Sequence, residues 1–415
     1  MMHVLYLSHD GALDPLGQSQ IVPYLQRLAG PEIRITLLSF EKSRAAADRQ
    51  RVQRLRAALR ASHIAWVPLR YHNRPPILST VWDMAHGFAR AWWIARAQRV
   101  DLIHARSYVG ACMALWLKRL TGAKVLFDMR ELWVDGRVDG GAWRRGGWLH
   151  RMGKRCERWC LLTSDAIVSL TEAGKQIILR FDYWTPEAAP ITVIPTCVDV
   201  DRFAERDAVA HEPPAAFQGR RVIAYLGSVG TWYRLDDMID CYTVIARKSP
   251  EALLLILTPQ ADEARQRCVA RGLEPGQFDV RTVTHEAVPE YLRWAEVALY
   301  FITPSYAKRS SCPTKLGESL ASGLPVLTNA GVGDQDALLR EARVGVLVDS
   351  FTSAAYAQAW DEMTALLAEG PALRRRCRQA AQERLGLEAG AATYRRIYHE
   401  LCGTHEAAHP LPVSA

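Results

Sequence analysis

The residues best suited to chemistry lie in one stretch, residues 310–326, which reads Ser-Ser-Cys-Pro-Thr-Lys-Leu-Gly-Glu-Ser-Leu-Ala-Ser-Gly-Leu-Pro-Val. The pattern predicts a loop, a helix that begins at Pro313, and a new strand. The unpaired amides of Thr314 and Lys315 would point outward at the positive end of the helix dipole, and Lys315 would add a full charge. Glu318, on the same helix face as Lys315, could accept a bond from a ligand hydroxyl. The segment predicts an anion site, although an exposed Lys–Glu pair on an ordinary helix fits it equally well.

A parallel-sheet fold is needed to position these residues, and the chain has the pattern of one. Short apolar strands alternate with amphipathic helices, which is typical of α/β proteins built from βαβ units. Predicted strands cover residues 4–8, 33–38, 64–68, 102–104, 124–128, 165–169 and 191–194 in the first half, and residues 221–227, 253–257, 277–283, 297–300, 325–328 and 344–348 in the second. The sequence therefore predicts two tandem doubly wound, Rossmann-like domains that face each other across a cleft.

The length of 415 residues is sufficient for two such domains, each with its own core. We expect an N-terminal domain over residues 1–203, a connection over 204–219, a C-terminal domain over 220–385, a last helix over 386–402 and a tail over 403–415.

Loops that directly follow predicted strands are where ligands bind in open α/β sheets. After the first strand, residues 8–20 contain Gly17, whose backbone could approach a phosphate where the first helix begins. In the second domain, Ser228 and Gly230 form a small-residue turn that could do the same, and Arg234 could supply charge or pair with a neighbouring aspartate. A plain loop fits residues 8–20 as well, and their glycine spacing is not that of a dinucleotide site.

Two arginines follow neighbouring strands of the first domain. Arg106 comes just after the strand that ends at His104, and Arg130 comes just after the next strand. A single arginine in such a place usually forms a surface ion pair, but two above an inferred cleft favour an anion site. His104 could contact the ligand or could be a buried, hydrogen-bonded histidine.

A metal site has weak support in this sequence. Asp199 and Asp201 resemble the paired carboxylates that hold a metal–nucleotide complex, but they follow a strand that leads into the predicted connection. No histidine or third carboxylate lies nearby in the sequence, so we expect no metal.

The charge balance favours anionic partners, since the formal net charge is +8. Residues 143–155 combine basic side chains with tryptophans, which suits an anionic membrane surface. A water-exposed basic helix face explains the same residues equally well. We expect no nucleic-acid partner, because the chain contains no recognised nucleic-acid-binding module.

The nine cysteines are odd in number and contain no CxxC pair, which indicates a reduced, cytoplasmic compartment. The spacing of Cys156 and Cys160 fits one helix face better than a metal clamp. The N-terminus reads as a strand rather than a signal peptide, and no apolar run approaches the roughly 20 residues of a membrane-spanning helix. Any membrane contact would therefore be peripheral, at the inner face.

Taken together, these segments resemble family 4 of the glycosyltransferases, a retaining group with the two-domain GT-B fold, in a branch with a Pro-Thr-Lys segment. The resemblance runs from about residue 2 to about residue 401. It rests on Ile-Pro at 194–195 with Asp199 and Phe203, Lys-Leu-Gly-Glu at 315–318, Gly-Leu-Pro-Val at 323–326, Tyr-Leu-Gly-Ser at 225–228 and Val-Pro-Glu-Tyr-Leu at 288–292.

The resemblance implies a nucleotide-sugar donor, which is a substrate rather than a cofactor, held mainly by the C-terminal domain. It places the segment from Pro313 to Lys315 at the diphosphate and Glu318 at the ribose. Gly17 would face the donor phosphates from the other domain, and Arg130 would lie near the transferred sugar. The last helix would cross back onto the first domain.

Two departures from the family pattern stand out. Many members carry a glutamate at the position of Ser310, where it contacts the transferred sugar. Many also carry an arginine and a lysine where this chain has Ser228 and Tyr233. Lys315, with Arg234 or Arg309, could replace the missing charge.

The predicted function is therefore retaining, metal-independent transfer of a hexose-type sugar to a saccharide or lipid-linked hydroxyl acceptor, with Lys315, Arg106, Arg130 and His104 as candidate catalytic residues. The family suggests a role in bacterial cell-surface polysaccharide or glycolipid synthesis. A nucleotide-sugar epimerase or hydrolase of the same fold, and a non-catalytic nucleotide-sugar-binding subunit, are the alternatives.

Overall fold

The computed structural model describes residues 1–75, 77–185, 187–203, 214–230 and 232–403. Most of the predicted connection (residues 204–213) and of the predicted tail (residues 404–415) lies outside these ranges.

The N-terminal half forms a parallel sheet of seven strands in the order β3-β2-β1-β4-β5-β6-β7. Its strands are β1 (Met2–Ser8), β2 (Ile33–Glu41), β3 (Ile64–Arg70), β4 (Leu102–Arg106), β5 (Lys124–Met129), β6 (Ala166–Ser169) and β7 (Ile191–Val193). The helices of this half are α1 (Pro15–Gln20), α2 (Val22–Leu28), α3 (Ser43–Ala46), α4 (Arg49–Ala61), α5 (Leu78–Gln98), α6 (Ser107–Thr121), α7 (Trp133–Asp139), α8 (Trp148–Thr163), α9 (Glu172–Leu179) and α10 (Val200–Phe203).

The C-terminal half forms a second parallel sheet of six strands in the order β10-β9-β8-β11-β12-β13. Its strands are β8 (Arg221–Leu226), β9 (Ala252–Leu257), β10 (Phe278–Arg281), β11 (Ala295–Tyr300), β12 (Val326–Asn329) and β13 (Gly345–Val348). Its helices are α11 (Leu235–Lys248), α12 (Ala261–Ala270), α13 (Val288–Leu292), α14 (Thr314–Ala321), α15 (Gln335–Ala342), α16 (Ser353–Leu367), α17 (Pro371–Leu385) and α18 (Leu387–Cys402).

The predicted fold class is confirmed, since two parallel sheets with helices packed against them follow the predicted strand series. Strands were the easiest elements to predict because residues buried on both faces of a sheet form continuous apolar runs. All seven residues of β1 and all six of β9 are buried.

Two predicted helix starts are wrong by one or two residues. Pro313 precedes α14 as its N-cap, in an extended conformation, and the helix begins at Thr314. α1 begins at Pro15 rather than near Gly17, because a proline with its fixed φ suits the first helical position after the N-cap Asp14.

The last helix, α18, packs against the N-terminal sheet and α2. The chain returns there through Val198, whose backbone bonds to both Leu385 and Leu387 at 2.8 and 3.0 Å. Tyr398 of α18 is fully buried, and its hydroxyl lies 2.6 Å from Nδ1 of His104. The chain therefore links the two halves a second time, next to the end of β4.

Candidate active site

Two adjoining cavities lie between the halves, where the carboxyl ends of both sets of strands meet. The larger has a volume of about 1120 Å³ and is lined by Leu226–Ser228, Leu257–Pro259, Val283–Glu286, Val288, Tyr233, Thr314, Lys315 and Glu318, with Pro15, Leu16, Ser19, Asp48, Arg51 and Arg54 opposite. The smaller, of about 540 Å³, borders mainly the N-terminal half. Leu16, Tyr233 and Thr314 line both cavities, so they mark the junction.

Lys315 is held in the first turn of α14 as a nearly buried cation, 6% exposed. Its Nζ lies 3.4, 4.7 and 5.4 Å from the ring centroids of Tyr233, Tyr225 and Tyr300. Aromatic faces attract a cation, but Nζ has no hydrogen-bond partner among the described residues. Burial lowers the pKa of Lys315 well below its usual value, although the charge of Glu318 opposes this. An anion entering the larger cavity would stabilise the charged form.

Glu318 lies one turn after Lys315 in the wall of the same cavity and is 6% exposed. Burial raises the pKa of its carboxyl group to about 7, while the charges of Arg202 and Lys315 oppose the shift. The carboxyl group is therefore near the midpoint of its titration at neutral pH and can accept bonds from hydroxyl groups of a ligand.

The turn after β8 brings backbone close to Lys315. Gly227 adopts φ +150°, and a Cβ atom there would lie 2.6 Å from Nζ of Lys315, so a larger residue would displace the lysine. Ser228 lines the larger cavity, and its carbonyl accepts a bond of 2.7 Å from the hydroxyl of Tyr225. Gly230 borders neither cavity and forms a bridge with Tyr233 instead.

Arg234 also lies outside the lining of the two cavities. Its guanidinium donates to Asp237 at 2.8 and 3.2 Å and stacks 4.1 Å from the ring of Phe351. Asp237 is one of the neighbouring aspartates that the sequence offered as alternative partners, and it forms an ion pair with Arg234. Among the described residues of the C-terminal half that line the larger cavity, Lys315 therefore remains the candidate cation.

Gly17 lies inside α1 where the helix crosses the preceding loop. A Cβ atom there would lie 2.1 Å from the carbonyl oxygen of Gly11, so glycine is required for this close approach. Gly17 itself does not line a cavity, but its neighbours Leu16 and Ser19 line the larger one. The residue shapes the loop rather than exposing its own backbone.

Arg106 and Arg130 meet in the smaller cavity, as their positions after neighbouring strands predicted. Both contact buried Asp128, with Nη1 to carboxylate distances of 3.6 Å for Arg106 and 3.2 Å for Arg130. Burial would raise the pKa of Asp128, but these cations and His104 hold it well below its usual value. The carboxylate therefore stays ionised and fixes both guanidinium groups.

His104 does not line either cavity. Its Nε2 lies 3.6 Å from Asp128, its other ring nitrogen bonds Tyr398, and burial lowers its pKa. The His104 ring contacts Asp128, and Asp128 in turn contacts both arginines.

Ser310 occupies the position where many members of the family that this chain resembles carry a glutamate that contacts the transferred sugar. It is 1% exposed, and its Oγ accepts a 2.8 Å bond from the amide of Leu132 and donates to the carbonyl of Ala307 at 2.9 Å. A Cβ atom on Gly174 would lie 2.9 Å from the Cβ of Ser310, so Ser310 packs directly against the backbone of Gly174. The serine joins the two domains instead of facing the ligand.

Several cavity residues had not been singled out in the sequence. His9, Glu131 and Lys308 line the smaller cavity, together with Trp133 and Trp232. His9 follows β1 and could have been found by the strand-end rule, since it lies in the loop that contains Gly17. Glu131 and Trp133 follow β5 and fall under the same rule, whereas Trp232 and Lys308 lie six and eight residues after the ends of β8 and β11. Lys308 reaches across the cleft to Glu131 at 3.1 Å and packs 4.2 Å from the ring of Trp232.

Asp199, one of the two carboxylates that the sequence analysis considered and discounted as a metal site, takes part in an ion pair. Asp199 accepts a 2.9 Å bond from Arg27 of α2, which itself also contacts Glu388 of α18. This ion pair lies beside the point where the chain returns to the N-terminal half.

Comparison with known proteins gives a consistent picture. The family model described as Glycosyl transferase 4-like domain matches residues 20–197, and that described as Glycosyl transferases group 1 matches residues 208–384. A relative from Streptomyces scabiei, D-inositol 3-phosphate glycosyltransferase, is 23% identical and is matched over 96% of this chain and 89% of its own length.

Two solved structures share the fold over nearly the full length. Sucrose-phosphate synthase from Thermosynechococcus elongatus superposes with a TM-score of 0.69 at 18% identity, covering 98% of this chain and all of that one. Anabaena HepE, solved in complex with UDP and glucose, gives a TM-score of 0.69 at 13% identity, covering 96% of this chain and all of that one.

The buried position of Ser310 predicts that a glutamate cannot replace it. Ser310→Ala should cost about 1–3 kcal/mol in the free energy of unfolding, because the Leu132 amide loses its acceptor. Ser310→Glu should cost clearly more, since it also places a carboxyl group at a buried position. Urea denaturation measures both, with exposed Ser353→Ala as the neutral control. A stable, fully active Ser310→Glu protein would contradict this assignment.

Proposed function

Because this chain belongs to the glycosyltransferases of the GT4 type, we infer that it transfers a hexose-type sugar from a nucleoside diphosphate to a hydroxyl group with retention of anomeric configuration. The observation that carries this inference is the buried ammonium of Lys315, which faces the larger cavity without a hydrogen-bonding partner among the described residues. A diphosphate is the ligand that best matches such a cation beside the amides that begin α14.

The donor would occupy the larger cavity. Its diphosphate would lie at Thr314 and Lys315, its ribose hydroxyls at Glu318, and its base between the ends of β9 and β10, where residues 257–259 and 283–286 form the wall. HepE, which shares this fold, binds UDP and glucose, and this supports a nucleotide sugar as donor. The sugar would then extend past Tyr233 toward Arg106 and Arg130 in the smaller cavity.

Cleavage of the anomeric bond places negative charge on the departing diphosphate. Lys315 and the amides of α14 would stabilise that charge, and Arg106 and Arg130 would approach it from the other domain. These cations would allow the reaction to proceed without a metal ion. His104 would act as a positioning residue, since its Nε2 lies 3.6 Å from Asp128, which contacts both arginines.

The pairing of the carboxylates in the smaller cavity fits retention of configuration by front-face attack, in which no carboxylate acts as a nucleophile. Each of them is bound to a cation: Asp10 to Arg106, Asp14 to Lys42 and Glu131 to Lys308. A paired carboxylate is a poor nucleophile, so the departing phosphate itself would accept the proton of the acceptor hydroxyl. Closure of the cleft would exclude water and limit hydrolysis.

The smaller cavity would hold the acceptor. It combines polar groups such as His9 with the aromatic rings of Tyr71 and Trp133, which suits a saccharide or the polar head of a lipid-linked saccharide. An acceptor of this kind belongs to the synthesis of bacterial surface polysaccharide or glycolipid. The epimerase, hydrolase and binding-subunit alternatives are less well supported, because both domain matches describe glycosyl transfer.

Lys315→Met is the sharpest test of the donor site, because methionine keeps the length of the side chain and removes its charge. We expect kcat/KM for the donor to fall by about 100-fold or more, since a leaving-group contact made in a dry site is lost. Stability without ligand should be unchanged or higher, because a desolvated charge has been removed.

Transfer assays and thermal shifts with UDP-, GDP- and ADP-sugars measure these effects and identify the base. Exposed Lys248, paired with Asp361, provides the matched control Lys248→Met. Wild-type turnover by Lys315→Met would disprove the site.

The raised pKa of Glu318 predicts a pH-dependent contribution to donor affinity. The carboxylate accepts hydroxyl bonds best when ionised, so its contribution should increase as pH rises through about 7. The ratio of wild-type to Glu318→Gln affinity should therefore grow by about tenfold between about pH 6 and about pH 8. Calorimetry with the nucleoside diphosphate measures this ratio. A flat ratio would remove Glu318 from the ribose site.

A peripheral membrane contact would suit a lipid-linked acceptor. None of the helices that the structure describes is long and apolar enough to span a bilayer. Three neighbouring helices of the N-terminal domain nevertheless expose large apolar side chains: Leu78, Trp82, Trp92 and Trp93 on α5, Trp116 and Leu120 on α6, and Trp148 and Met152 on α8. Arginines lie among them, with Arg90 over Trp93 at 5.1 Å and Arg119 over Trp116 at 5.1 Å. This mixture favours an anionic lipid surface over water alone.

Trp82 and Trp93 are eleven residues apart on α5, which places them on one helix face. We expect the double variant Trp82→Ala/Trp93→Ala to lose most of its binding to vesicles that contain anionic lipid, measured by flotation at low and high salt. The control is Val269→Ala, which removes an exposed apolar side chain from the C-terminal domain. Equal flotation of wild type and double variant would exclude this face as the contact.

A further inference from the structure

Three cysteines from two helices of the N-terminal domain lie close together. Cys112 of α6 faces Cys156 and Cys160 of α8, with Sγ–Sγ distances of 2.9 Å to Cys156 and 3.9 Å to Cys160. The three sulfur atoms all lie within 4.8 Å of one another. The sequence spacing had placed Cys156 and Cys160 on one helix face but gave no indication that Cys112 joins them.

The geometry favours a thiol pair over a metal site. Two sulfurs bound to one metal at about 2.3 Å with tetrahedral angles lie about 3.8 Å apart. Cys112 and Cys156 are closer than that, and a disulfide requires their sulfurs to approach only to about 2.05 Å. Cys156 is partly exposed, whereas Cys112 and Cys160 are buried, so an oxidant would reach Cys156 first.

We propose that Cys112, Cys156 and Cys160 form a reversible thiol–disulfide site in which Cys156 is oxidised by a peroxide and Cys112 resolves it. The Cys156 thiolate attacks hydrogen peroxide, so an S–O bond forms, the O–O bond breaks and hydroxide leaves. The sulfur of Cys112 then displaces the sulfenic oxygen, and the proton of its thiol leaves with that oxygen as water. Overall, two thiols and one peroxide give one disulfide and two waters.

The local hydrogen bonding supports this order of events. The sulfur atoms of Cys112 and Cys160 lie close enough to share hydrogen bonds with Cys156, and these contacts lower the pKa of Cys156. The pKa values of Cys112 and Cys160 are raised by the same contacts. Cys160, next to Cys112, provides a second thiol through which the disulfide can exchange.

The disulfide would join α8 to α6, and α6 lines the smaller cavity through Ser107 and Val109. Tyr108, one turn before Cys112, donates a 3.1 Å bond to Glu157, the residue after Cys156. Trp133 lies against Tyr108 with a centroid distance of 6.1 Å and lines the cavity. Oxidation would thus fix α6 to α8 directly beneath the cavity wall. The proposal does not depend on the identity of donor or acceptor.

Peptide mapping distinguishes the possible pairings, because trypsin separates the three cysteines into peptides 107–118, 156–158 and 159–175. Reduced full-length protein is treated with stoichiometric hydrogen peroxide, alkylated and digested. We expect peptides 107–118 and 156–158 to be linked with the loss of two hydrogen atoms, and a thiol reductant to restore both. Cys156→Ser should abolish the link, Cys160→Ser should retain it, and Cys402→Ser should leave it unchanged as the control for a partly exposed cysteine outside the cluster.

Two results would overturn the proposal. One is that the three thiols remain free at a peroxide dose that oxidises Cys402. The other is that one equivalent of Zn²⁺ or Cu⁺ binds wild type but none of the three serine variants, and that the bound ion prevents the link, in which case the cluster is a metal site. Both readouts are independent of glycosyl transfer, so failure here leaves the proposed function untouched.

Discussion

The cleft depends on one interaction, the enclosure of the Lys315 ammonium by three tyrosine rings. Burial of a charge without a hydrogen-bonding partner is costly, and the aromatic faces compensate only partly. On the proposed function, a ligand anion would complete the surroundings of this cation, and the low local polarity would make that contact strong. Gly227 leaves the space that the ammonium needs, and Glu318 provides the adjoining acceptor. The side of the cleft that we propose for the donor therefore has these groups in place before any ligand enters.

The side that we propose for the acceptor differs, since the carboxylates that border its cavity are already paired. Asp128 contacts Arg106 and Arg130, Asp10 contacts the same Arg106, and Asp14 and Glu131 pair with lysines. Such pairing fixes the directions of the guanidinium groups at little cost to their charge. A sugar bound there would meet oriented donors, while the Lys315 ammonium across the cleft has no hydrogen-bond partner among the described residues.

Contacts between the halves determine how far apart these two sides lie. The hydroxyl of Ser310 holds the amide of Leu132, and the carboxylate of Asp334 accepts bonds from the amides of Glu172 and Ala173 at 2.6 and 3.0 Å. A further contact comes from α18, where the hydroxyl of Tyr398 bonds the ring of His104 in the N-terminal sheet. Ser310 shows how a departure from the family pattern can be structural: the residue that often contacts the sugar has here become part of the connection between domains.

The sequence by itself determined the two parallel sheets, because strands buried on both faces leave unmistakable apolar runs. It also determined that Lys315 and Glu318 share the start of one helix and that Arg106 and Arg130 meet, since the carboxyl ends of parallel strands lie at one edge. Only the tertiary structure decided which groups surround them. The tyrosines around Lys315 come from three separate segments, Arg234 turned to Asp237, and Cys112 met Cys156 across two helices. These pairings depend on how side chains distant in sequence pack together, and no local periodicity encodes that.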